Sequence, residues 1–193
     1  MITFLSRKLA DFLCKKGVIL NDEKEIYQYG YELLISDIFS FLILSIIGIF
    51  SKLIIETYVF YITFVLTRRF CGGYHADTYF KCHISTLIVY TLIMIISFLV
   101  SQFGIAFLNL ILISFYFITA LVYAPIENQN KPLETEDKIK FRKLSFMFGG
   151  IFAVICLLLM LVSDRLSLVV SLTLSASAML MVIERYKNEE ELK

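Results

Sequence analysis

The chain has 193 residues, 59% of them hydrophobic and only 18% charged, and with a mean hydropathy of +0.79 it lies outside the range of soluble globular domains and reads as an integral membrane protein. Eighteen Lys and Arg against seventeen Asp and Glu leave a net charge of +1, which excludes the broad basic field that nucleic-acid binding needs. Cys14, Cys71, Cys82 and Cys156 lack the paired spacing of a zinc ribbon or of a secreted disulfide framework.

From the N-terminus, residues 1–30 carry Arg7, Lys8, Lys15, Lys16 and Lys24 with no uninterrupted apolar run, so they do not read as a signal peptide. Ile2, Leu5, Leu9, Phe12 and Leu13 recur at helical spacing between charged residues. That pattern suits an amphipathic helix in the headgroup layer, and equally an ordinary packed helix. Six apolar stretches follow, at 33–50, 53–67, 84–100, 105–124, 144–162 and 166–183, each approaching the roughly 17 to 25 residues that cross a bilayer. The second is the weakest, being short and holding Glu56 near its start. Short connections at 51–52, 101–104 and 163–165 imply antiparallel helix hairpins on the outer side.

Orientation follows from the basic residues. With six spans, sixteen of the eighteen Lys and Arg fall on one side, and only Lys52 and Arg165 on the other. Since cytoplasmic loops are enriched in Lys and Arg, both termini and the connections 68–83 and 125–143 are expected in the cytoplasm. The expected fold is an all-α integral membrane protein, a single membrane domain over 1–193 with about six transmembrane helices and an N-terminal interfacial helix. Glu32 and Asp37, at and inside the first span, need partners there; either could orient a histidine, and structural pairing with a basic residue is the favoured reading. Gly149, Gly150, Ser171, Ser175, Ala176, Ser177 and Ala178 permit close helix packing.

The connection 68–83 collects both histidines and two of the four cysteines. A thiol is a useful nucleophile as thiolate, and a neighbouring imidazole takes its proton and stabilises the ion pair. Cys82 with His75 is the leading pair. Their spacing of seven places both on one helix face, yet a continuous helix would hold their Cα atoms roughly 10 Å apart, so the backbone must bend or break between them, or substrate must close the gap. Gly72 and Gly73 supply a permissive stretch upstream and could expose N–H groups for an oxyanion. Cys71 and His75, at i and i+4, would meet more easily on a regular helix, which the two glycines oppose. His83 adjoins Cys82 and points away from it, which makes it a poorer base. As an isolated motif, the segment suits a structural loop as well as a catalytic one.

The block from Arg68 to Cys82, with Gly72-Gly73-Tyr74-His75-Ala76 and Cys82 seven residues after the histidine, resembles the AgrB family of Gram-positive quorum-sensing systems. A second block, Ala124-Pro125 through Asn130-Lys131-Pro132-Leu133, is similar to that family's other inner loop. The resemblance implies a membrane cysteine endopeptidase without cofactor or metal, with His75 as general base and Cys82 as nucleophile. It implies that Arg68 and Gly73 support proteolysis and that Lys131 lies in a loop linked to peptide handling. It further implies a homodimer in the cell membrane that acts on an AgrD-like propeptide with an amphipathic leader, a central Cys or Ser and an acidic tail. Two other classes compete. A small peptide exporter with a His/Cys gate would be expected to show a repeat of broken spans, and none is visible. A metal site built from Cys71, His75, Cys82 and His83 does not match a common zinc spacing.

Overall fold

The computed structural model describes residues 2–72, 78–104, 106–126 and 135–191. Among them are seven α-helices: α1 (Ile2–Lys15), α2 (Lys24–Phe50), α3 (Ile54–Cys71), α4 (Tyr79–Ser101), α5 (Ala106–Tyr123), α6 (Thr135–Leu159) and α7 (Asp164–Glu191). No strand occurs among these residues. The helices divide into two compact units, residues 1–50 and 51–193.

In the first unit α1 folds back on α2. Ser6 and Ala10, both small, are the buried residues of α1. The Ser6 hydroxyl donates to Glu32 at 3.3 Å, Gln28 donates to the same carboxylate at 3.1 Å, and Asp11 pairs with Lys24. Lys24 holds the exposed Asp11 carboxyl below its ordinary range. Glu32 therefore finds its partners inside this unit. Because the small residues make the contact, Phe4, Leu5, Leu9 and Phe12 stay exposed; Leu5, Leu9 and Phe12 belong to the apolar set read from the spacing, whereas Ile2 and Leu13 are partly covered.

In the second unit α7 is the central helix, packing on α3, α4, α5 and α6. Its small residues explain the position: Ser167, Ser171, Ser177 and Ala178 are fully buried, and short side chains let neighbouring backbones approach. Polar contacts fix the register. Asn109 on α5 donates to Ser167 at 3.1 Å and accepts from Ser171 at 2.6 Å. Thr67 on α3 and Ser177 lie 3.1 Å apart, while Thr57 and Tyr90 join α3 to α4 at 2.8 Å. Tyr116 sits where a side chain on Gly149 would stand, 2.4 Å from a Cβ placed there, and donates to the Ser145 carbonyl at 3.1 Å. Asn109→Ala removes two interhelical bonds, and on the scale of about 0.6 to 1.7 kcal/mol per bond measured in membranes it should destabilise this unit measurably in a detergent unfolding titration.

Large apolar side chains point outward from these helices, including Ile88, Leu92, Ile95 and Leu99 on α4 and Leu110, Ile118 and Leu121 on α5. Faces of that extent are tolerated against lipid, not water. By length and composition, helices spanning Asn21–Phe50, Tyr79–Ser101, Asp137–Leu159 and Asp164–Glu189 are long and apolar enough to cross a bilayer, and Phe107–Tyr123 is a shorter apolar helix. In α3, the weak stretch of the sequence, Thr57, Phe60, Thr63, Phe64 and Thr67 are buried, so its reduced hydropathy reflects packing against protein.

Two boundaries differ from expectation. Helix α2 starts at Lys24, well before residue 33, because Glu25 to Leu34 are compatible with helix although too polar for a hydropathy window. The connection 125–143 is helical from Thr135 onward, so Lys138, Lys140, Arg142 and Lys143 stand on α6 and not in a loop. No Gly or Pro interrupts residues 135–148, and Lys and Arg are good helix formers.

Candidate active site

The ends of α3 and α4 joined through residues 73–77 carry the describable part of the chemistry. Arg68 lies in the last turn of α3, its guanidinium 5.4 Å from the centre of the Phe64 ring. Phe70 stacks on Phe148 of α6 at 4.9 Å, which fixes the rotation of this end of α3. Cys71 is fully buried with Tyr116, Ala124, Ile126 and Met181. A sulfur so enclosed acts in packing, which weighs against the Cys71–His75 alternative.

Gly72 ends the helix. Its N–H donates to the Arg68 carbonyl at 3.1 Å, and the Ile126 N–H donates to the Cys71 carbonyl at 3.0 Å, forming an isolated parallel bridge between Gly72 and Ile126. The position accepts only glycine. Its φ is +75°, and a Cβ there would stand 2.3 Å from the Ile126 carbonyl oxygen. Ile126 follows the cis Ala124–Pro125 bond and is itself buried. The two sequence blocks, one opening at Arg68 and the other at Ala124, are thus tied backbone to backbone at their starts.

Thr78 is extended (φ −134°, ψ 146°) and caps α4, its hydroxyl accepting from Lys81 N–H at 3.3 Å. Thr78, which lies between His75 and Cys82 in the chain, is thus not helical. Cys82 is the fourth residue of α4, its N–H bonded to the Thr78 carbonyl at 3.0 Å. It is half-buried, whereas His83 turns inward and is buried, in line with opposed directions for adjacent helical residues. His75, Gly73 and Lys131 lie outside the described residues. Among the described residues no cluster of three or more His, Cys, Asp or Glu could hold a metal ion.

The four cysteines are free, and exposure orders them. In the folded protein, iodoacetamide should modify Cys82 and Cys14, both partly exposed, while the buried Cys71 and Cys156 react only after unfolding; peptide mass spectrometry resolves the four sites. Two features were not anticipated from the sequence: the pairing of Ile126 with Gly72, and the burial of Glu184 near the end of α7; residue pattern carries no signal for either.

An all-helical membrane protein with a half-buried cysteine near the start of a helix, and an obligatory glycine closing the preceding one, is the class defined so far. The family model for Accessory gene regulator B matches residues 6–183, and the chain belongs to the AgrB family. An AgrB-like protein of Clostridium perfringens strain SM101 is 31% identical over 151 residues, covering 74% of this chain and 69% of the relative. In C. perfringens strain 13, AgrB-like protein 1 is 32% identical over 152 residues (77% and 76%) and AgrB-like protein 2 is 30% identical over 151 residues (74% and 69%). No solved structure matches the chain. Family membership supports a role in the processing of quorum-sensing peptides.

Proposed function

We propose that this protein is a membrane cysteine endopeptidase that cleaves an AgrD-like propeptide and closes its product into a thiolactone or lactone. The observation that carries the reading is the bridge between Gly72 and Ile126: it anchors the segment leading to Cys82 against the segment leading to Lys131, the two blocks through which catalysis and peptide handling would meet. In this reading all six helices from α2 to α7 span the bilayer, α1 lies in the headgroup layer on its Phe4, Leu5, Leu9 and Phe12 face, and the site faces the cytoplasm in a homodimer.

In the first step the Cys82 proton passes to His75 and the thiolate attacks the scissile carbonyl carbon. A carbon–sulfur bond forms, the carbon–nitrogen bond breaks, and His75 returns the proton to the leaving amine of the acidic fragment. Amide to thioester is uphill, so the acyl-enzyme persists where water is excluded and the fragment departs. Next, a Cys or Ser of the bound peptide loses its proton to His75 and attacks the thioester. The ring closes and Cys82 leaves as thiolate to be reprotonated. Thioester exchange with Cys is nearly balanced in energy, so ring closure over hydrolysis depends on holding the peptide nucleophile close. Arg68, Gly73 and Lys131 are proposed to support these steps, with Arg68 the best placed to attract an acidic tail.

The test is cleavage in vesicles holding the full-length protein, using an AgrD-like propeptide with a central Cys or Ser and an acidic tail. Release of an acidic C-terminal fragment that is lost in Cys82→Ala and kept in Cys71→Ala supports the peptidase. Passage of intact peptide across the vesicle without cleavage supports the exporter and contradicts the proposal.

A further inference from the structure

The last carbonyls of a helix ordinarily need donors from beyond its end. At the end of α5, Ala120 finds one in the Ala124 N–H at 3.0 Å. Leu121, next in line, would look to position 125, which is proline and has no N–H to give. Position 126 is diverted as well, because the Ile126 N–H donates to the Cys71 carbonyl at the end of α3 at 3.0 Å.

The acceptor that Pro125 leaves open on Leu121 is filled from a third helix. Arg142, the eighth residue of α6, donates from its guanidinium Nη2 to the Leu121 carbonyl at 2.8 Å. The bond is short and charge-assisted, and it sets a cation at the negative end of the α5 dipole. The rest of this part of α6 holds the same two neighbours. Tyr116 of α5 donates to the Ser145 carbonyl at 3.1 Å. Phe141 and Phe148, seven residues and so about two turns apart, both meet Phe70 of α3, with ring centres at 6.1 and 4.9 Å. One stripe of α6 thus grips the end of α3, and the stripe beside it grips α5.

We infer that Arg142 is a positioning residue for the proposed cleavage: by capping Leu121 it holds residues 124–126 in the pose that pairs with Gly72, and so fixes the end of α3. The inference rests on the peptidase reading above for its consequence in cleavage. A lone backbone hydrogen bond between two chain ends contributes little net stability. The junction of Cys71 with Ile126 therefore depends on both ends being held from outside, by Phe141 and Phe148 on one and by Arg142 on the other. The competing use of Arg142, whose side chain is exposed, is attraction of the acidic tail of the substrate.

The experiment uses vesicles of the full-length protein and an AgrD-like propeptide with an acidic tail, and compares wild type, Arg142→Ala, Arg142→Lys, Gly72→Ala and the double variant R142A/G72A. It measures kcat and KM for fragment release at low and high salt, and site-resolved iodoacetamide modification of the cysteines. Arg142→Ala is expected to lower kcat about tenfold, the scale of one hydrogen bond from a charged donor, with KM unchanged at both salt concentrations. Cys71 should open to iodoacetamide while Cys156 stays closed. Arg142→Lys, which keeps a cationic donor, should recover part of the loss, and R142A should add nothing to G72A. A salt-dependent rise in KM, with kcat and Cys71 unchanged, would make Arg142 a contact for the acidic tail and overturn the inference. So would parent-like kinetics in R142A, additive losses in the double variant, or Cys156 opening together with Cys71, the last by making Arg142 a folding residue. A wild type that releases no fragment sinks the peptidase reading. Opening of Cys71 in R142A then keeps the clamp and removes only its role in cleavage, whereas a closed Cys71 sinks the clamp too.

Discussion

Replacing Cys82 with alanine is expected to reduce release of the acidic fragment by at least about a thousandfold, roughly 4 kcal/mol of lost transition-state stabilisation, with the membrane yield of the protein unchanged. The residue is half-buried on α4, where its side chain supports no core contact comparable to that of Cys71, so the loss is one of chemistry. His75→Ala should fall in the range of about a hundredfold to ten-thousandfold typical of a removed general base, and the double variant should be no worse than Cys82→Ala, because the pair acts as a unit. Cys71→Ala should retain most of the activity. Its sulfur is fully buried and has no route to a peptide carbonyl.

The second large effect is expected at Gly72. An alanine there must adopt φ +75° and place its Cβ 2.3 Å from a backbone oxygen of Ile126, an atom that cannot rotate away as a flexible side chain would. The φ +75°, ψ −156° region is essentially open to glycine alone and costs any other residue on the order of 1–3 kcal/mol, and relieving the collision requires giving up the Cys71–Ile126 hydrogen bond. Cleavage should fall at least about a hundredfold although every proposed catalytic side chain remains, and Cys71 should become open to iodoacetamide. Gly150→Ala is the matched control. Nothing lies within 4 Å of a Cβ at Gly150, and alanine is favoured over glycine in a helix by about 1 kcal/mol, so that variant should be as stable as the parent or more so.

Hydropathy made the helical class and the approximate place of each apolar segment legible, because the lipid-facing side chains of α4 and α5 and the small residues of α7 are local signals. It was blind to the polar extensions at Lys24 and Thr135, which are helical without being apolar. Within the candidate site, the spacing of Cys82 from His75 left open an interrupted helix or a gap closed by substrate, and Thr78 between them is extended. The bridge from Gly72 to Ile126 could not be read from the chain, since two distant backbones meet there with no periodicity to mark them. The burial of Glu184 was equally hidden. One acid near the end of a hydrophobic stretch looks the same in sequence whether it turns to water or to protein, and only the packed helix, where it is almost fully enclosed, decides it.

The most direct measurement is the mass of the full-length protein quenched in acid during turnover of its propeptide. The expected species is a thioester on Cys82 carrying the N-terminal part of the peptide, cleared by hydroxylamine and absent in Cys82→Ala. Fragment release with no such adduct, or an adduct on another residue, would contradict the assignment of Cys82 as nucleophile.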